Sequence, residues 1–203
     1  MAQLAGYTGH VSTAPKEASV ARLRYTSSDL ELLPDVEGVR YEIIDGDLYV
    51  SKAPEVGHQL AAHKVAFLLE SWDQGAGLGR TIPAPGVIFA PDQDVIPDLI
   101  WIRRDRFADA VDQGGHLRMA PDLVVEVLSP GSINERRDRE LKLNLYSRQG
   151  VHEYWIVDWQ HQTVQVYRRS EAELRLVATL EDEDILASPN LPGFSCRVAE
   201  FWS

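Results

Sequence analysis

The chain has 203 residues, 44% of them hydrophobic and 25% charged, which is enough for one sizeable core and too little for two comfortable domains. Lys and Arg total 20 against 31 Asp and Glu, a formal net charge of −11, so the body as a whole is poorly suited to gripping nucleic acid by general electrostatics. A single cysteine, Cys196, excludes an intrachain disulfide or a multi-cysteine zinc site, no apolar run approaches the roughly 20 residues of a membrane span, and the N-terminus lacks the apolar segment of a signal peptide, so a cytoplasmic location is expected.

Residues 1–20 are small, polar and unpatterned, and read as a flexible tail before one domain spanning 21–203. Ser27 to Leu33 carries the signals of a short capped helix stopped by Pro34. Tyr41 to Val50 reads as a hairpin, two apolar arms joined by the tight-turn pair Asp45-Gly46. From Val56 to Trp72, Leu60, Ala61, Val65, Leu68 and Leu69 mark an amphipathic helix ended by Gly75 to Gly79. Short strands are expected at about 86–90, 98–102 and 123–128, the last apolar on both sides like a strand covered on both faces. A helix over 133–148, closed by Gly150, leads to a buried strand at 153–158, and strand–helix–strand order across 121–158 implies a parallel pair. Two antiparallel strands near 163–167 and 174–180 follow, then a packed loop over 189–194. The fold class is thus α/β (α+β): a single domain with a central mixed β-sheet flanked by helices, an N-terminal hairpin and C-terminal antiparallel strands.

Chemistry concentrates at a few positions. Asp98 follows Pro97 at the mouth of a strand, where a carboxylate reaches solvent and a metal; a turn aspartate is the plain alternative. Glu126 stands among Val124, Val125, Val127 and Leu128, where an acid needs a partner, whether a metal or an arginine. Asp138, Lys142 and Tyr146 recur every four residues on one face of the following helix, which packs back over the Glu126 strand; a surface Asp138–Lys142 ion pair is the alternative. Two such acids beside a lysine are what a hard divalent cation and a hydrolytic water require. Glu42, between Tyr41 and Ile43, either joins this cluster or faces water. His58 and His63 are five residues apart on their helix, a spacing that does not make a two-histidine metal site. The runs Arg103-Arg104-Asp105-Arg106 and Arg136-Arg137-Asp138-Arg139 read as solvated surface charge, with a small basic rim beside the candidate strands as the alternative. Trp101, Trp155 and Trp159 suggest a dimer face, although core packing accounts for Trp155 more simply.

Taken in order, Tyr41-Glu42-Ile43-Ile44-Asp45-Gly46, the Pro97-Asp98 strand start, the stretch from Pro121 through Glu126 to Pro130, Asp138 with Lys142 and Tyr146, and the stretch Gly150 to Asp158 resemble the Uma-two family. That family comprises restriction endonuclease-like proteins of the PD-(D/E)XK nuclease superfamily, and the resemblance covers roughly residues 25–203. It implies a restriction endonuclease-like fold, with Asp98 as the Pro-Asp aspartate and Glu126 as the second acid. The superfamily lysine usually stands two residues after that acid, where this chain has Leu128; Lys142 looks like its replacement on the helix. Glu42 and His58 match further positions of the family pattern, and Tyr146 is a possible addition. The implied activity is DNA phosphodiester hydrolysis with Mg²⁺ or Mn²⁺ held by Asp98, Glu126 and the carbonyl of Val127. The homodimer that the tryptophans suggest would suit double-strand cutting. The acidic charge and Leu128 leave open a non-catalytic nuclease-fold module that binds a protein or nucleic-acid partner. A small-molecule metal hydrolase fits the acids without the histidine clusters usual for such sites.

Overall fold

The structure, a computed structural model, describes residues 22–203, and the tail expected over 1–20 lies outside them. The asparto-glycine turn behaves as its chemistry demands. Asp45 and Gly46 both take positive φ, 50° and 71°, matching the twist of the arms they join. They fold β1 (Val39–Ile44) against β2 (Asp47–Lys52). Before the hairpin, helix α1 (Ser27–Leu30) is capped by Thr26, whose hydroxyl and backbone N–H both donate to the Asp29 carboxylate. Helix α2 (Val56–Ala76) ends at Gly77, whose left-handed φ of 62° suits glycine. Its buried face is His58, Ala61, Val65, Leu69 and Asp73, so the expected Leu60 is off that face and 60% exposed. A stripe repeating every three to four residues from His58 passes beside Leu60 rather than through it.

After α2 come β3 (Gly79–Pro83), β4 (Val87–Ala90), β5 (Gln93–Val95), β6 (Leu99–Arg103) and helix α3 (Arg104–Ala110). Next is β7 (Leu123–Val127), then a helical crossover of three parts: α4 (Ser132–Arg136), a π-helical stretch (Arg137–Lys142) and α5 (Leu143–Gln149). The chain returns as β8 (Glu153–Asp158), β9 (Thr163–Ser170) and β10 (Glu173–Glu181), then a small ladder of β11 (Ile185–Ala187) and β12 (Ser195–Arg197), and closes with a 3₁₀ turn, Val198–Phe201. The expected crossover pairing is present: β7 and β8 are parallel, while the other neighbours in the six-stranded order β10-β9-β8-β7-β6-β3 are antiparallel. A second sheet, β2-β1-β5-β4, carries the hairpin.

Alternation along the central strands divides the interior in two. On one face of the large sheet, Trp101, Val125, Val127 and Trp155 meet α2 and the C-terminal Leu191, Phe194, Val198 and Phe201. On the other, Ile100, Val124, Leu128, Tyr154 and Ile156 meet α5 and the small sheet through Leu145, Tyr146, Ile44 and Val95. Trp101 and Trp155 are therefore core residues, 1% and 0% exposed, and form no dimer face. Trp159 is half-buried, with its indole N–H donated to the Leu128 carbonyl. Among the described residues no helix is long and apolar enough to cross a membrane.

Candidate active site

Glu126 shares the parity of Val124 and Leu128, so its side chain points to the face covered by the crossover helix. The β6–β7 register pairs Leu99 with Val125 and, continued one step, sets Asp98 across from Glu126 and Pro97 across from Val127. Proline has no N–H to offer the ladder. Val127 instead donates its own N–H to the Asp98 carboxylate at 2.9 Å. The β6–β7 ladder thus ends where the two acids meet, and the Val127 carbonyl finds no donor on the facing Pro97. The second oxygen contact of Asp98 comes from α2: His58 Nε2 lies 3.1 Å from Oδ2.

The crossover helix supplies the cation. Lys142 Nζ lies 2.9 Å from Glu126 Oε1 and 2.9 Å from Glu42 Oε1, and the Tyr146 hydroxyl donates to the same Glu126 oxygen at 2.7 Å. Glu42, left open between cluster and solvent by the sequence, belongs to the cluster and also accepts the Ile96 N–H at 2.9 Å. Asp138 completes it, 3.9 Å from Lys142 and 3.2 Å from Arg137 Nε. A uniform α-helix turns about 100° per residue, so positions four apart drift steadily around its axis. The wider i→i+5 turn of Arg137–Lys142 rotates each residue less and drifts the other way. The two drifts offset, which returns Tyr146 to the line of Asp138 and keeps Lys142 within the same narrow face; the sequence spacing showed the shared face but not the π turn within it.

These groups open into a cleft of about 300 Å³ lined by Glu42, His58, Asp98, Glu126, Arg137 and Lys142. Arg137 is largely buried there and faces Glu42 at 3.6 Å, so the reading of its run as solvated charge is corrected at this residue. Arg106 of the other run is likewise engaged, 2.7 Å from Asp122, while Arg136 is exposed and pairs only with Glu140. Tyr154, whose hydroxyl donates to the Asp138 carbonyl at 3.0 Å, is a support that sequence reasoning missed. It sits in an apolar run and gives no sign there that its hydroxyl matters.

Four carboxylates share this space with two buried cations and the partly exposed Arg40. Burial, reinforced by Asp98, Asp138 and Glu42, pushes Glu126 up to about 8 despite Lys142. Burial also raises Asp138. For Lys142 burial favours the neutral amine, but Glu126, Glu42 and Asp138 outweigh it and hold the ammonium charged. Burial would raise Asp98 too, yet the His58 hydrogen bond, Lys142 and the Val127 N–H leave it below its ordinary range. Among the described residues Glu126 Oε2 accepts no hydrogen bond. The surplus of hard oxygen donors, with one acid left short of compensation, fits a divalent cation of the Mg²⁺ type. No group of three or more His, Cys, Asp or Glu side chains has metal-holding geometry among the described residues, so water would complete the shell, as is usual for Mg²⁺.

Fold and cleft together define a mixed α/β domain with an acidic, lysine-bearing pocket where the ladder of its central strands ends. The family model for Uma2, described as "Putative restriction endonuclease", matches residues 27–199, and the chain belongs to that family. The crystal structure of a "putative nuclease belonging to DUF820" from Anabaena variabilis ATCC 29413 superposes with a TM-score of 0.69 at 19% identity, covering 87% of this chain and 97% of the other. The two share a fold. No curated protein matches.

Proposed function

We propose that this protein is a metal-dependent endonuclease that hydrolyses phosphodiester bonds in DNA. The observation that carries this reading is the meeting of Asp98, Glu126 and Lys142, remote in sequence, in one cleft. Asp98 and Glu126, with the Val127 carbonyl, would hold the cation. A bound Mg²⁺ or Mn²⁺ would polarise a phosphoryl oxygen and make an attacking water more acidic. The residues divide the remaining work. Lys142, kept protonated by its acidic neighbours, presents N–H donors toward charge that develops on the phosphoryl group. Tyr146 fixes the Glu126 rotamer through Oε1 and leaves Oε2 turned to the cleft. His58 and the Val127 N–H orient Asp98. Glu42 holds Lys142 at the same 2.9 Å as Glu126 does, so two carboxylates fix the ammonium at the cleft. Leu128, at the usual lysine position, is packed in the core and takes no part.

The test is incubation of plasmid DNA with Mg²⁺ or with a chelator, for the wild type, Asp98→Ala and Glu126→Ala, beside calorimetry with Mg²⁺ and Mn²⁺. Cation-dependent cutting that both variants lose is the expected result, with cation uptake that weakens in Asp98→Ala. Equal cutting by both variants refutes the site assignment. Uptake without any cutting would favour a non-catalytic nuclease-fold module. For double-strand cutting in the cytoplasm we propose a homodimer that presents two such clefts; a monomer by sedimentation at micromolar concentration would remove it.

A further inference from the structure

We propose that the active-site cleft continues past Asp98 into a second recess that carries the nucleic-acid strand flanking the scissile phosphate, with Arg40 gripping a phosphate at the junction. This rests on the nuclease reading above and assigns that site an internal stretch of a polymer rather than a chain end or a mononucleotide.

Two recesses meet at one pair of residues. The cleft of about 300 Å³ and a neighbour of about 220 Å³ are both lined by Arg40 and Asp98. The second is walled by α2 through Gln59, Ala62, His63 and Ala66 and by the end of β3 through Pro83 and Ala84. A mononucleotide site has no need of a second opening beyond the reacting group. A chain cut internally must leave the carboxylates on both sides.

The walls suit a polyanion. Asp98 is the sole carboxylate of the second recess, whereas Glu42 and Glu126 line the first. Alanines on α2 let a backbone come close, and His63 and Gln59 stand exposed at the edge with polar atoms to offer. The opposite wall is held in place: Ala84 adopts a left-handed φ of 47° and donates its N–H to the Asp98 carbonyl at 3.0 Å. A non-glycine residue keeps that conformation only where its surroundings enforce it, and such positions gather at functional sites.

Arg40 is the decisive side chain. Its guanidinium comes no nearer than 3.6 Å to Asp98 Oδ1 and makes no hydrogen bond among the described residues, although its side chain is two-thirds buried. A planar fork of N–H donors, positioned but unspent, matches the paired oxygens of a phosphodiester. Lys52 and Arg137 also line the first recess, so positive charge is not confined to Arg40.

The experiment measures binding of a fluorescein-labelled short DNA duplex by anisotropy over a salt series, with Ca²⁺ replacing Mg²⁺ to keep the DNA uncut, and cutting of the same duplex with Mg²⁺. Arg40→Ala should weaken binding about tenfold or more and lower the slope of log affinity against log salt by about one. Arg40→Lys should recover the slope but not the full affinity, because an ammonium keeps the charge and loses the fork. His63→Glu, on an exposed position that leaves folding intact, should also weaken binding by placing like charge on the strand path. Circular dichroism checks the fold of each variant. Wild-type affinity and salt slope in both Arg40→Ala and His63→Glu, with the wild type binding and cutting DNA, would overturn this inference alone. A wild type that neither binds nor cuts would overturn the nuclease reading and this inference together.

Discussion

Glu126 on β7 and Glu153 on β8 are both buried carboxylates in neighbouring parallel strands, at opposite ends of the same pair, and their surroundings differ in one respect that decides what each can do. Both oxygens of Glu153 are spoken for. Oε1 accepts the Trp155 indole N–H at 2.7 Å, and Oε2 accepts Asn190 Nδ2 at 2.9 Å, Arg168 Nε at 3.3 Å and the Ser188 hydroxyl. Two of its four donors, Ser188 and Asn190, come from the 188–190 loop, so this carboxylate fastens the C-terminal segment over the end of the sheet. Glu126 has donors on one oxygen, a second oxygen turned to a cleft, and three more acids around it. A saturated buried acid is a fastening; an unsaturated one among like charges is poised for a ligand.

That contrast can be broken most sharply by the same substitution at both places. Glu126→Gln keeps the shape and the acceptor for Tyr146, so the melting temperature should hold or rise while Mg²⁺-dependent cleavage falls at least about a hundredfold. Glu153→Gln should do the reverse in stability, costing about 3 kcal/mol because Arg168 loses its charged partner and an NH₂ now confronts donors. For a chain of this length that is a drop of several degrees in thermal melts. Similar stability losses in the two variants would dissolve the distinction.

A pH series sharpens it further. Glu126 sits at about 8 against an ordinary 4.5, so between those values the folded protein retains a proton that the unfolded chain has released. Stability of the ion-free wild type should therefore decline as pH climbs from about 5 to about 8, whereas Glu126→Gln lacks this component. Melts in chelator should show the variant gaining on the wild type by up to a few kcal/mol over that interval, and added Mg²⁺ should close the gap at the alkaline end. Parallel curves would contradict the assignment. The smallest effect concerns the packing beneath the Glu126 end. A Cβ at Gly57, in the first turn of α2, would run into the Trp159 ring, which its hydrogen bond to the Leu128 carbonyl holds in place. Gly57→Ala should cost about 1–2 kcal/mol by urea titration despite the better helix propensity of alanine.

Much of this was readable from residues alone because local chemistry and tertiary demand coincide there. Asp45-Gly46 can hardly do other than turn, Glu126 among valines needs partners, and the four-residue steps from Asp138 to Tyr146 put the cation above its acids. The parallel β7–β8 pair followed from a helix between two apolar runs. What escaped notice had weak or misleading signals. Gln93–Val95 is three residues long, and Gly79–Pro83 begins and ends with strand breakers, so neither looks like a strand. Arg137 sits in a run of charges and is held inward by Asp138 beside it together with Glu42, which arrives from another sheet. Trp101 looked available for a partner because the C-terminal segment that covers it shows no periodicity to announce its packing, whereas core packing was already the simpler account of Trp155. Glu153 was legible in principle. It heads an apolar run just as Glu126 interrupts one, and the same reasoning would have flagged it.

The π turn at Arg137–Lys142 puts the amine of the proposed site on the crossover helix instead of on a strand. An amine borne by a strand is locked to the acids by the backbone ladder itself. Here Lys142 rides on the crossover helix together with Asp138 while Asp98 and Glu126 belong to the sheet, so in the proposed mechanism a slight roll or slide of that helix against β7 would withdraw the ammonium from those two acids.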